Sequence, residues 1–239
     1  MKTNITDILK EKLTEKGASL VGFADLRQLE YPTLIGLQYG VSIAIAMTPS
    51  IVRGISAGVT LEYYAEYNQL NNKLQELADI GCRILEEHGY QALGQAATTH
   101  TESGTYRTAL PHKTVATRAG LGWIGKNALL VTQKFGSALR LSSILTNAPL
   151  ETGIPIDESA CGRCTCCTEA CIAQAIKGIN WDVSQDRDTI FDATSCRTIA
   201  SERAAKLGID GTLCGKCIEV CPYTQRYIKK QSSAGQERL

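Results

Sequence analysis

Apolar positions recur at helical spacing in two stretches. Ile5, Ile8, Leu9 and Leu13 share one face of a predicted helix over about residues 4–16, with Thr3 or Asn4 as N-cap and Gly17 as the stop. Leu70, Leu74, Leu77 and Ile84 do the same in a longer helix over about 60–87, which Gly89 ends. Apolar-rich segments at 20–23, 41–47, 90–97, 128–132 and 139–146 read as strands, the second closed by Pro49. Residues 111–119 read as a short helix that starts at a proline. Residues 151–158, with Gly153 and Pro155, have linker composition, and 159–227 is the cysteine-rich part. The polar end, 229–239, reads as a frayed tail. The predicted fold class is therefore α+β: a mixed α/β domain over residues 1–150, then a two-cluster ferredoxin-like domain over 151–239.

Charge changes little. Twenty-five basic and 24 acidic side chains leave a net charge of +1, so no strong overall field recruits nucleic acid or an anionic membrane. The longest apolar run is far short of the roughly 20 residues that span a bilayer, and the first residues lack the apolar core of a signal peptide. A cytoplasmic chain with no membrane partner is expected. Ten cysteines in such a setting argue for metal or redox chemistry over disulfides.

The cysteines fall into two motifs. The first is Cys161-Gly-Arg-Cys164-Thr-Cys166-Cys167-Thr-Glu-Ala-Cys171, which is C-x2-C-x2-C-x3-C if Cys166 is passed over. The second is Cys214-Gly-Lys-Cys217-Ile-Glu-Val-Cys221-Pro222, preceded by a lone Cys196. Two-residue gaps let a tight loop wrap three thiolates around one face of an iron–sulfur cubane. The fourth cysteine then opens a short helix pointing away, and so ligates the other cluster. On that rule Cys161, Cys164, Cys167 and Cys221 form one set, and Cys171, Cys196, Cys214 and Cys217 the other. A zinc site explains paired C-x2-C motifs but neither the three successive cysteines nor the closing Cys-Pro. Cys171 precedes Ile172 instead of proline, which weakens the turn there slightly. Cys166 is a thiol the spacing leaves unused, and Cys82 a small side chain on the long helix.

Gly120-Leu-Gly122-Trp-Ile-Gly125-Lys126 spells G-x-G-x-x-G, but its helix-then-strand order is the reverse of a dinucleotide site. These glycines let the backbone approach another group closely, either a flat cofactor or a neighbouring strand.

The run from His112 through Gly120-Leu-Gly-Trp-Ile-Gly-Lys-Asn127 to Leu145-Thr-Asn-Ala-Pro-Leu150, followed by these cysteine motifs, resembles epoxyqueuosine reductases; so does Leu61-Glu-Tyr-Tyr-Ala-Glu-Tyr-Asn68. The related reductive dehalogenases share the core design. The resemblance implies a nitroreductase-like first domain holding cobalamin non-covalently, with Gly122, Gly125, Lys126 and Asn127 as cofactor-binding candidates. It implies two [4Fe–4S] clusters relaying electrons from an external low-potential donor, and no protein histidine below the cobalt. The family's proton-donating aspartate falls on Tyr106, a candidate acid or a packing tyrosine. Arg107 and Lys113 are candidates to hold an anionic group, and His100 and His112 flank the region. The chain stops at Leu239 without the helical repeats and basic tail of the tRNA-acting enzymes, so tRNA is not expected as substrate. A cobalamin-dependent reductase of a small molecule is the leading expectation. The alternative is an electron carrier serving a corrinoid or other redox partner protein.

Overall fold

The computed structural model describes residues 4–29, 31, 36–97 and 106–236, with side chains to 230. Thr3, His100 and residues 237–239 lie outside the described residues. The chain divides into two units, and each draws on more than one segment.

The first unit comprises 1–45, 69–122 and 140–156. Helix α1 (Ile5–Glu15) starts where Asn4 accepts the Thr6 amide at 3.2 Å, and it buries Ile5, Leu9 and Leu13 as the spacing predicts. Strands β1 (Leu20–Asp25) and β2 (Tyr39–Ala46) pair antiparallel, with Phe23 opposite Val41. The next helix, α2 (Pro49–Gly54), was not foreseen: Pro49 ends the strand and also opens this helix, since its fixed φ suits a first helical turn. Helix α3 (Leu61–Glu87) runs from one unit into the other. Strand β3 (Ala92–Gln95) pairs antiparallel with β6 (Leu139–Thr146), giving a four-stranded sheet in the order β1-β2-β6-β3. Leu9, Leu13, Val41, Ile43, Leu74, Leu77 and Ile144 are fully buried in its main core. Helix α4 (His112–Arg118) packs with β1, where Val115 joins Leu26 and Leu145 in a second buried cluster.

After α4 the chain turns at Gly120, whose φ is +71°. A Cβ there would lie 2.6 Å from the carbonyl oxygen of Ile154. The group approached closely at this first glycine is therefore backbone.

The second unit comprises 46–68, 123–139 and 157–239. It contains α2, the short pair β4 (Trp123–Ile124) and β5 (Leu130–Val131), and the cysteine-rich region. Helices α5 (Cys166–Glu169), α6 (Arg187–Ile190), α7 (Ala193–Ala205), α8 (Lys216–Glu219) and α9 (Pro222–Gln236) follow. Buried Phe135 and Tyr227 stack edge-on at 5.1 Å, and the Tyr227 hydroxyl donates to the Met47 carbonyl at 2.9 Å. Helix α9 runs on to Gln236, into the stretch that composition reads as a frayed tail. Among the described residues no helix is long and apolar enough to cross a membrane.

Candidate cluster sites

All ten cysteines are free thiols. Cys161, Cys164, Cys167 and Cys221 line one cavity of about 110 Å³, together with Lys126, Asn127, Pro222 and Tyr223. That space exceeds the roughly 30 Å³ of one water. Among the described residues no three His, Cys, Asp or Glu side chains close on a single-ion site. Burial pushes the Cys167 thiol up to about 11, and the neighbouring charges of Cys161, Cys221 and Cys164 add to this. A thiol held up as Cys167 is gives up its proton when a cationic centre binds it, and iron–sulfur ligation supplies such a centre.

The other four cysteines form a second group. Cys196 sits in α7 behind an N-cap at Asp192. Its thiol is held up at about 11 by burial, then by the charges of Cys171 and Cys214. Cys217, in α8, is raised by burial, then by Cys196 and Cys214, with Cys167 and Cys171 contributing after them. The Ala175 amide donates to the Cys171 sulfur at 3.4 Å, the kind of hydrogen bond that tunes a cluster. Helix α5, which carries Cys167, packs against α8, which carries Cys217, so the two groups are neighbours.

Local structure explains how each cysteine is aimed. Cys221 immediately precedes Pro222, and α9 starts at that proline. Cys171 is different. The expected short helix does not form after it; the chain makes a turn and reaches a single bridge between Ile176 and Phe191. Without proline at 172, nothing preorganises helical φ at that point.

Two residues from the glycine run reach into this region. Lys126 is 5% exposed and its Nζ donates to the Cys164 carbonyl at 3.0 Å. Asn127 is 4% exposed; its Nδ2 donates to the Cys217 carbonyl at 3.4 Å, and its Oδ1 accepts the Leu129 amide at 3.2 Å. One β-turn thus holds a loop of each cysteine motif. Gly125 lies in the same unit, and its missing side chain leaves room for Asn127 and Val131, both 2.7 Å from where a Cβ would stand. Gly122 belongs to the first unit. No local spacing signals that Lys126 and Asn127 meet cysteine carbonyls 38 and 90 residues on.

Tyr106 is 44% exposed and has φ of +54°, a left-handed conformation that a tyrosine rarely adopts. His112 is spoken for on both sides of its ring: Nδ1 is 2.7 Å from Ser143 Oγ and Nε2 2.9 Å from the Ala96 carbonyl. Cys166 is exposed beside Cys164, and Cys82 is half-buried, its thiol raised to about 11 mainly by burial.

Residues 160–224 match the 4Fe-4S double cluster binding domain family. Fold and site together define a protein with a domain that binds two [4Fe–4S] clusters. More particularly, the chain is epoxyqueuosine reductase-like in sequence and reductive dehalogenase-like in fold. It is 31% identical over 159 residues to epoxyqueuosine reductase from Lactococcus garvieae, an alignment covering 66% of this chain and 42% of that one. The chain spans about two fifths of the length of the first curated relatives it matches. A catabolic reductive dehalogenase in complex with 3-bromo-4-hydroxybenzoic acid superposes with a TM-score of 0.70 at 19% identity, over 90% of this chain and 31% of the other. An epoxyqueuosine reductase with an epoxyqueuosine-modified tRNA-Tyr stem loop gives 0.58 at 22% identity, over 93% and 66%.

These findings overturn the expectation that excluded tRNA. The relatives are epoxyqueuosine reductases, and one is seen with a tRNA stem loop while matching nearly the whole of this chain. A balanced net charge is silent about local charge distribution, and the reductase part that this chain resembles is shared with tRNA-acting proteins.

Proposed function

We propose that this chain is a cobalamin-dependent reductase of the epoxyqueuosine reductase type. In this reading Cys161, Cys164, Cys167 and Cys221 hold the first [4Fe–4S] cluster, and Cys171, Cys196, Cys214 and Cys217 hold the second. The observation that carries it is the single cavity lined by four cysteines drawn from both motifs. When bound, the clusters supply one-electron transfer and the corrin a strongly reducing metal centre. His112 has both ring nitrogens engaged, which supports a corrin without a histidine below the cobalt.

The chain's own residues do the rest. Lys126 and Asn127 fix the backbone of the cysteine loops. Tyr106 stands at the acid position and donates a proton from its hydroxyl. Its left-handed backbone supports that role, because strain of this kind persists where function holds it. The likeness to epoxyqueuosine reductases favours an epoxide-bearing nucleoside in tRNA as substrate, and the dehalogenase likeness favours a small molecule. An external low-potential donor feeds the clusters, in a cytoplasmic setting where thiols stay reduced. A second reading, an electron carrier for a corrinoid partner, is favoured by tyrosine replacing the family's aspartate at 106.

The test is anaerobic preparation with iron, sulfide and corrin analysis, followed by Tyr106→Phe. We expect two clusters, a spectral change when cob(II)alamin is added, and reduction of an epoxyqueuosine-modified stem loop or the free nucleoside. Tyr106→Phe should lose turnover and keep clusters and corrin. Iron well below two clusters, or cysteines bonded to one another, would sink the cluster reading. Clusters with no response to cob(II)alamin would leave the carrier.

A further inference from the structure

Lys126 is a buried cation with no carboxylate paired to it among the described residues. In the second unit Arg187 pairs with Asp188 and Lys216 with Glu219, whereas the Lys126 ammonium meets the carbonyl of Cys164. Withdrawing an ammonium from water without a counter-charge is costly, so a buried lysine normally faces an anion. The thiols of Cys161, Cys164, Cys167 and Cys221, which become anionic as cluster ligands, line the same cavity as Lys126.

We infer that Lys126 is the built-in counter-charge of the first cluster and raises its reduction potential above that of the second. This rests on the reading that those four cysteines bind a [4Fe–4S] cluster. Four thiolates outweigh the positive charge of the cluster core, and reduction adds one electron and so one more negative charge. A fixed ammonium favours the reduced form more than the oxidised one, and burial strengthens the effect. No proton moves, and the electron comes from the external low-potential donor.

The second cluster lacks the same help. The neighbouring residue of the turn, Asn127, offers a neutral amide to the Cys217 carbonyl. The lysine of the second motif, Lys216, is neutralised by Glu219 at 2.8 Å. Lys126 therefore stands at the first site without a carboxylate partner, whereas Lys216 in the second motif has one, and Asp192 adds a negative charge beside Cys196. The first cluster becomes the thermodynamic sink of the pair, and electrons supplied to the second move on to it.

The test compares wild type, Lys126→Gln and Lys126→Arg by anaerobic redox titration, with each cluster followed by paramagnetic resonance. Iron content is measured first: a wild type without the first cluster refutes the ligand reading itself, before Lys126 is in question. Glutamine keeps a donor for the Cys164 carbonyl and removes the charge; arginine keeps the charge. The expected result in Lys126→Gln is a reduced-to-oxidised ratio of the first cluster about tenfold lower at the same poise. For one electron this is about 59 mV. The second cluster should stay unchanged and arginine should retain the wild-type value. A first cluster that assembles with arginine but not with glutamine supports the charge equally. An unchanged potential in Lys126→Gln, or the same fall or loss in both variants, overturns the inference.

Discussion

A Cβ at Gly136 would lie 2.2 Å from the amide nitrogen of Thr224. Gly136 has φ of +59°, and the adjacent Ser137 amide donates to Thr224 Oγ1 at 3.1 Å. Thr224 is fully buried in the first turn of α9, three residues after Cys221. The hairpin after β5 and the helix that follows Cys221 are therefore in backbone contact, and only glycine fits between them.

Gly136→Ala is expected to destabilise the fold by at least about 2 kcal/mol, because the obstacle is backbone and the conformation is left-handed. It should also lower iron at the first cluster by displacing Cys221. Gly215→Ala is the comparison. Its Cβ would meet side-chain atoms only, the Ile55 terminus at 2.4 Å and the Tyr63 ring at 3.1 Å, at a φ of +78°; side chains give way more readily than backbone, so the cost falls to about 1 kcal/mol. Thermal unfolding and iron analysis of both variants check this; equal effects would refute it.

Cys217→Ala should remove the second cluster and spare the first. Burial and the charges of Cys196 and Cys214 dominate at Cys217, whereas the first cavity is lined by other thiols. Anaerobically prepared variant should hold half the wild-type iron and retain the spectrum of the first cluster. Unchanged iron would refute the ligand assignment.

His112 makes stability pH-dependent in a stated direction. Burial holds its pKa below the ordinary value; the Ala96 carbonyl opposes this, and the charge of Arg140 assists it. The unfolded chain takes up a proton near pH 6.5, and the folded chain resists it. The neutral ring's contribution is thus complete above about pH 6.5 and is lost as pH falls through the lower folded pKa. Melting temperature should drop from about pH 7.5 to about pH 5.5. His112→Asn should be less stable at the upper end and show a flatter slope. Parallel slopes would refute the role.

Much of the first unit was legible because its elements are amphipathic. The apolar positions of α1 and α3 repeat at helical spacing, and β1 and β2 are short apolar-rich segments. Helix α2 was missed because its six residues are too few for a period to register, and Pro49 read only as a stop. The helix expected after Cys171 failed for want of proline, while Cys221-Pro222 behaved as its sequence suggested.

The sequence by itself determined the chemistry: cysteines with two or three residues between them must share one loop, so their spacing dictates what they can ligate, and that information is local. It also determined the backbone freedom of the glycine run. Only the tertiary structure decided what those glycines approach. Likewise it decided that 46–68 and 123–139 fold with the cysteine-rich segment, and that a lysine and an asparagine side by side each hold a different cysteine loop. Such contacts join residues tens of positions apart. They follow from how buried surfaces and unpaired donors find partners once the chain has collapsed, and no period or spacing along the chain encodes them.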